Sequence, residues 1–248
     1  MNEEPPGGPK IRAGYDLEIR HLKNRAVEMG DWALQMFHDG WEAFEAGDLE
    51  AAQKVLDRGA QLDRYDEDME HAAIAFLVLR QPTAIDLRTA AALLKITTHL
   101  DRIGRLGFDM ARITSPETSG DKDDLTRVLE RMDAVVESMV RQALDALATD
   151  QVSLARDLFR RDDEVDQLHR EANRRIIDLK VKTPAAAPRL AMDLLVARHF
   201  ERIADNACKV GEKTIYALTG QRRSEYLPRH PVVPYVLEAP RKDGRARK

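Results

Sequence analysis

Pairs of carboxylates spaced four residues apart are the features of this 248-residue chain that could do chemistry. Residues four apart lie on one face of a helix, where like charges repel unless they share a cation. Glu201 and Asp205 form such a pair, and so do Asp66 and Glu70. The spacing therefore predicts oxygen-rich sites for a hard or borderline cation such as Mg²⁺, Ca²⁺, Mn²⁺ or iron.

An internal repeat relates the two halves of the chain. The segment HLDRIGRLG, which starts at His99, matches HFERIADNA, which starts at His199, so the offset is 100 residues. The same offset places Asp66 on Asp166. Two related structural units are therefore predicted, with carboxylates at corresponding positions in both.

The repeat also shows which carboxylates lack a partner. Asp101, the counterpart of Glu201, is followed four residues later by Arg105, and Asp166 is followed by Arg170. An Arg at this position can form an internal ion pair in place of a bound metal ion. The candidate metal ligands are Asp66, Glu70, Asp101, Asp166, Glu201 and Asp205.

The elements that must position these side chains are predicted to be helices. Only four prolines lie between residues 10 and 227, and the stretches between them are rich in the helix formers Ala, Leu, Glu and Arg. Apolar residues recur at spacings of three and four. Helix-breaking residues delimit six predicted helices of about 30 residues, at 15–46, 49–80, 83–114, 122–149, 151–181 and 185–219.

A linker signal at 115–121 divides these helices into three and three. The predicted fold is all-α, with two tandem three-helix up-down-up bundles at 15–114 and 122–220. A flexible N-terminus is expected at 1–14, and a basic, proline-containing tail at 221–248.

Charge and composition argue against several classes of protein. The net charge is −4, and the tail carries eight Lys or Arg against three acidic residues, so the rest of the chain carries about −9. A negatively charged chain of this kind is poorly suited to bind the phosphate backbone of nucleic acid, so nucleic acid is not an expected partner. No window approaches 18 uncharged apolar residues, so membrane contact is expected only through a partner. A single cysteine and the lack of an export signal predict a cytoplasmic location.

Two other interpretations of the carboxylates remain open. A di-iron bundle needs Glu-x-x-His on two helices, whereas here only Asp68-x-x-His71 and Asp166-x-x-His169 approach that pattern. A metal-free helical adaptor or chaperone needs no ligands at all. No phosphate-binding loop, dinucleotide motif or nucleophile constellation is present in the sequence, so no catalytic residue and no enzyme activity are predicted.

Four segments carry a resemblance to a known family: RQPTAIDLR from Arg80, HLDRIG from His99, VDQLH from Val165 and HFERIAD from His199. Together they resemble the PhoU family of bacterial phosphate-signalling regulators over about residues 15–220. The resemblance implies tandem three-helix bundles whose E(D)-x-x-x-D motifs bind metal ions. It therefore implies metal at the six candidate ligands, with iron, zinc, manganese, magnesium and calcium all open.

The resemblance also implies a function. It points to a negative regulator of the phosphate-starvation response and modulator of phosphate uptake, which acts by protein contact and not by catalysis. The implied partners are the ATPase subunit of the phosphate ABC transporter and a phosphate-sensor histidine kinase. A homodimer is expected as well, because apolar residues such as Ile74, Leu77 and Val78 need cover.

Overall fold

The computed structural model describes residues 9–116, 123–182 and 187–226. No β-strand occurs in these ranges, and the predicted all-α fold is confirmed. None of the helices described offers an apolar run that could cross a membrane. The helices of this part of the chain are α1 (Pro9–Ala46), α2 (Leu49–Asp57), α3 (Gly59–Arg80), α4 (Ala84–Arg112), α5 (Asp124–Thr149), α6 (Val152–Lys182), α7 (Ala187–Thr219) and α8 (Arg223–Tyr226).

Local sequence signals set the helix ends. Gly47 follows α1 in the left-handed conformation, with a φ of 65°, which glycine adopts without strain. The side chain of Asp48 then accepts a hydrogen bond from the Glu50 amide at 2.9 Å and so caps the start of α2. At the C-terminal end of α3, Gln81 adopts the left-handed conformation and Pro82 follows it, so the helix ends there.

The prediction of one helix over 49–80 is wrong, because a turn at Arg58 separates α2 from α3. The amide of Arg58 donates to the Val55 carbonyl at 3.1 Å, a tight turn that ends α2. Gly59 comes next, and a Cβ there would lie 3.1 Å from the ring of Phe108 on α4. The small residue lets the turn sit directly against α4. The other predicted helices agree with the structure to within a few residues, apart from the start of α1.

The helical region extends beyond its predicted ends. Residues 9–14, predicted to be part of the N-terminal segment, belong to α1. The predicted tail begins with the short helix α8, where the Arg223 guanidinium lies 5.3 Å from the centre of the Phe159 ring.

The boundaries of the two predicted bundles stay a prediction. The rest of the N-terminus, most of the linker at 115–121 and most of the tail lie outside the described residues, at 1–8, 117–122 and 227–248.

Each half of the chain supplies three long helices that pack together. In the first half α1 and α3 both pack against α4, and in the second half α5, α6 and α7 pack against one another. The halves also meet, because α4 lies along α7 and α1 contacts α5. The Phe200 ring on α7 contacts Phe37 and Trp41 on α1, with ring centres 5.8 and 5.1 Å apart. The buried apolar side chains of both halves consequently form one continuous core.

The main chains of helices α1 and α4 come into direct contact in this core. Gly40 on α1 and Gly107 on α4 are both buried, and each faces the main chain of the other helix. A Cβ atom at Gly107 would overlap the carbonyl oxygen of Met36, and one at Gly40 would overlap the carbonyl oxygen of Gly107. Only glycine permits this separation of the two helices.

We predict that Gly107→Ala lowers the free energy of unfolding by about 3 kcal/mol, the upper end of the cost of overpacking. The cost is high because the added methyl group meets main-chain atoms, which cannot rotate away. Urea denaturation measures this change. The control is Gly59→Ala, where the nearest atoms belong to the Phe108 side chain, so the stability should change much less. A Gly107→Ala variant as stable as the wild type would contradict the close contact.

Candidate functional site

The first-half carboxylate cluster lies where α3 packs against α4, and Arg105 of α4 is part of it. The Arg105 guanidinium forms an ion pair with Asp63 on α3. Its Nε atom lies 3.3 Å from the carboxylate of Asp101, one helical turn away. A permanent positive charge therefore stands at the position where a bound cation would balance these carboxylates.

The predicted ligands of this cluster interact electrostatically. Burial raises the pKa of Asp66, and the negative charges of Asp101 and Glu70 raise it further. Burial also raises the pKa of Asp101, although Arg105 opposes that shift. The structure thus brings Asp66, Glu70 and Asp101 together, but with Arg105 among them. This donor set does not fit a metal cluster, because an internal cation already takes part of the role of the metal.

The second-half cluster lies between α6 and α7 and contains the other three predicted ligands. Burial raises the pKa of Glu201, and the charges of Asp166 and Asp205 add to the shift while Arg198 opposes it. Arg198 pairs with Glu201 at 2.8 Å on the same helix. Arg170 lies 3.9 Å from Asp166, at the limit of an ion pair. No Arg of α6 or α7 bridges the two helices here as Arg105 bridges α3 and α4, among the contacts of the described residues.

Asp162 is a fourth carboxylate of this cluster, and the sequence prediction missed it. Burial raises the pKa of Asp162 to about 6, with further contributions from the charges of Asp166 and Asp205. The signal was present, because Asp162 precedes Asp166 by four residues and so completes a D-x-x-x-D motif on α6. Four carboxylates from two intact motifs offer the oxygen donors that a hard cation prefers, so this donor set fits a metal ion.

The side chains next to these clusters serve packing. His99 Nδ1 lies 3.0 Å from Asn206 Oδ1, a contact that joins α4 to α7. Cys208 is buried, burial raises the pKa of its thiol, and the thiol faces the Leu158 carbonyl at 3.6 Å. Cys208 does not have the environment of a metal ligand, because a ligating cysteine must be a thiolate.

Ligand atoms converge most closely at a different place on α1. Among the residues that the structure describes, His38, Asp39 and Glu42 form the one group of three whose ligand atoms lie within 4.8 Å of one another. The predicted ligands of the two repeat-related clusters do not form such a group, so metal binding by these residues stays a prediction. The carboxylates predicted from the repeat lie on α3, α4, α6 and α7, and none of them lies on α1.

We predict that Arg105→Ala lowers the free energy of unfolding by about 1 kcal/mol at low ionic strength, and by less in high salt. The variant leaves Asp63 and Asp101 without the cation that they share. Chemical denaturation at two salt concentrations measures the effect. Arg102→Ala, at an exposed position on the same helix, is the matched control and should change stability little. Equal effects of the two substitutions would show that the ion pairs of Arg105 do not stabilise the fold.

Comparison with known proteins agrees with this architecture. A family model described as the PhoU domain matches residues 26–114 and again residues 129–214. In solved structures, the chain is similar to PhoU from Pseudomonas aeruginosa, with a TM-score of 0.78, 27% identity and coverage of 84% of this chain and 100% of that one. The phosphate transport system regulatory protein PhoU from Streptococcus pneumoniae shares the fold, with a TM-score of 0.76, 23% identity and coverage of 84% and 98%.

Sequence relatives extend over almost the same region. A phosphate-specific transport system accessory protein PhoU homolog from Caulobacter vibrioides is 31% identical over 216 residues, which cover 87% of this chain and 94% of that protein. The homolog of the same name from Rhizobium meliloti is 31% identical over 211 residues, with coverage of 85% and 89%. With two matches to the PhoU domain, relatives along nearly their full length and the same all-α architecture, this chain belongs to the PhoU family.

Proposed function

We propose that this protein is a negative regulator of the phosphate-starvation response that acts in the cytoplasm by protein contact. The observation that carries the proposal is the similarity, over 85–87% of this chain, to proteins named phosphate-specific transport system accessory protein PhoU homolog. The proposed partners are the ATPase subunit of the phosphate ABC transporter and a phosphate-sensor histidine kinase. In phosphate-rich conditions the complex would hold the kinase in its non-activating state, and the same contact would modulate phosphate uptake.

The described surface supports a role in protein contact. Helix α3 exposes apolar side chains, with Val78 66% and Leu79 77% exposed and Ile74 45% exposed. Exposed apolar side chains grouped on one helix are typical of interaction surfaces. Leu77, which was expected to belong to this strip, is partly buried against the core. We include a homodimer through α3 in the proposal, since a second copy would cover the same side chains.

Deletion of the gene is expected to raise the expression of phosphate-scavenging genes several-fold in phosphate-rich medium. Without the protein, the kinase would no longer be held inactive when phosphate is abundant. A reporter fused to a phosphate-starvation promoter measures the change. Expression of the wild-type chain from a plasmid is the control and should restore repression. Unchanged reporter output in the deletion strain would contradict the regulatory role.

We also propose that the second-half cluster binds a divalent cation, while the first-half cluster is balanced by Arg105. Asp162, Asp166, Glu201 and Asp205 would hold the ion, which would supply positive charge and cross-link α6 to α7. The proposed role of the ion is structural, since it would hold carboxylates of α6 and α7 together. The alternative is a metal-free helical adaptor, for which the ion pairs of Arg105 are the specific observation.

The double variant Glu201→Gln with Asp205→Asn is expected to lose more bound metal than Asp101→Asn. The first removes half of a four-carboxylate site, whereas Asp101 already pairs with Arg105. Equilibrium dialysis against Mn²⁺, followed by elemental analysis of the folded protein, measures the bound metal. Glu164→Gln, at an exposed position on α6, is the control and should bind as the wild type does.

Two outcomes would contradict the metal proposal. Equal losses from the double variant and from Asp101→Asn would show that the ligands are wrongly assigned. A wild-type chain that retains no Mn²⁺ would favour the metal-free adaptor.

A further inference from the structure

The outer face that α6 and α7 form together is acidic at one end and apolar at the other. The carboxylates of the second-half cluster lie at the acidic end. At the apolar end, the side chains of Ile177 and Leu194 are 46% and 44% exposed. Ile177 follows Asp166 by eleven residues and Leu194 precedes Glu201 by seven, spacings that return to the same side of a helix. This α6–α7 face consists of Asp162, Asp166, Ile177, Leu194, Glu201 and Asp205.

The C-terminal part of the chain reaches the acidic end of this face through α8. The Arg223 guanidinium lies 5.3 Å from the centre of the Phe159 ring on α6. Burial raises the pKa of Asp162, and the positive charge of Arg223 opposes that shift. A basic residue of the C-terminal segment therefore already interacts with the cluster. Helix α8 ends at Tyr226, so residues 227–248 begin beside the acidic end.

The sequence of 227–248 is complementary to this face in charge and in order. It contains six Lys or Arg against two acidic residues. Arg229 comes first, and the apolar run PVVPYVL follows at 231–237. The face has the same order, since the carboxylates lie nearest α8 and the apolar side chains lie beyond them. A segment that leaves α8 along this face consequently meets carboxylates with its arginine and apolar side chains with its apolar run.

The lengths of the segment and of the face also agree. Proline occupies every third position from 228 to 234, a sequence that favours polyproline II, with three residues per turn. In that conformation Arg229 and Tyr235 lie on the same side and are about 19 Å apart, at about 3.1 Å per residue. Along α6, Asp162 and Ile177 are about 22 Å apart, at about 1.5 Å per residue. With Arg229 at the carboxylates, Tyr235 reaches the apolar end.

The corresponding face of the first half is less suited to this segment. Arg105 pairs there with Asp63 and Asp101, so the carboxylates between α3 and α4 already have a cation from the fold. The second-half cluster has Arg198 paired with Glu201 on the same helix, and burial raises the pKa of Asp162 to about 6. A further positive charge therefore gains more at the second-half cluster than at the first.

We propose that residues 229–237 of this chain dock along the α6–α7 face, with Arg229 at the carboxylates and Tyr235 against Leu194 and Ile177. The docked segment covers the exposed apolar side chains and adds positive charge to the cluster. It is an intramolecular cover of a surface that the fold otherwise leaves open to partners. A divalent cation at the same carboxylates would compete with Arg229, so docking is expected to be strongest in metal-free protein.

Paramagnetic relaxation in the full-length protein, with EDTA present throughout, tests the proposal. Cys208 is the only cysteine and is buried, so Val236→Cys provides one accessible position for a nitroxide label. The methyl signals of Leu194 and Ile177 are expected to lose most of their intensity. The methyl signals of Ile74, an equally exposed residue on α3, are the control and should keep theirs. Because EDTA removes divalent cations, failure of the Mn²⁺ proposal would leave this result unchanged.

A charge reversal separates the role of Arg229 from that of net charge. In the labelled protein, Arg229→Glu should restore most of the intensity of the Leu194 and Ile177 signals, because it places a carboxylate against the cluster. Arg247→Glu makes the same change of charge outside the docking segment and should leave both signals weak. Equal effects of the two substitutions would overturn the proposed contact of Arg229.

Two further results would overturn the proposal. Leu194 and Ile177 signals that keep their intensity would show that the segment does not lie on this face, and losses at Ile74 would place it on α3. Spin-labelled protein mixed with methyl-labelled protein that carries no nitroxide shows which copy supplies the segment. Losses at Leu194 in that mixture would assign the face to a second copy of the chain, whereas unchanged signals support docking within one chain.

Discussion

The contact between Gly40 of α1 and Gly107 of α4 sets the positions of the other helices. Because neither residue has a side chain, the two main chains touch, and α4 is fixed along the length of α1. The remaining sides of α4 then receive α3 and α7. The carboxylate of Asp101 is thereby placed toward α3, and the His99 ring is placed toward Asn206 of α7. The site on each face of α4 depends on this one close approach.

The two halves share a helical plan but balance their carboxylates in different ways. In the first half, Arg105 provides a covalently attached positive charge between Asp63 and Asp101. In the second half, the corresponding position is Asp205, and the charges of Asp166 and Asp205 add to the burial that raises the pKa of Asp162 and of Glu201. The repeat has thus diverged: an Arg of α4 pairs across to α3 in the first half, whereas in the second half Arg198 and Arg170 pair with carboxylates of their own helices.

Helical periodicity was sufficient to predict the class of the fold and most helix ends, because apolar spacing and breaker residues act locally. The turn at Arg58 was missed, although Gly59 marked it, because the pattern of apolar residues continues across it. Asp162 was missed for another reason: its counterpart 100 residues earlier is Leu62, so the repeat carries no carboxylate at that position. Contacts between halves cannot be predicted from spacing, since helix packing places Glu137 of α5 beside His38 of α1.

Phe200 leaves the ribosome about 160 residues after Phe37, the ring that it contacts in the folded protein. At a translation rate of about 5–20 residues per second, the delay is roughly 10–30 s. During that time the faces of Phe37 and Trp41 that pack against α7 have no cover. In the folded protein the guanidinium of Arg88 donates a hydrogen bond to the carbonyl of Ala217 at 3.0 Å. This bond also cannot form before α7 is synthesised. Until the last long helix is synthesised, the first half therefore lacks the ring that covers Phe37 and Trp41 in the folded protein.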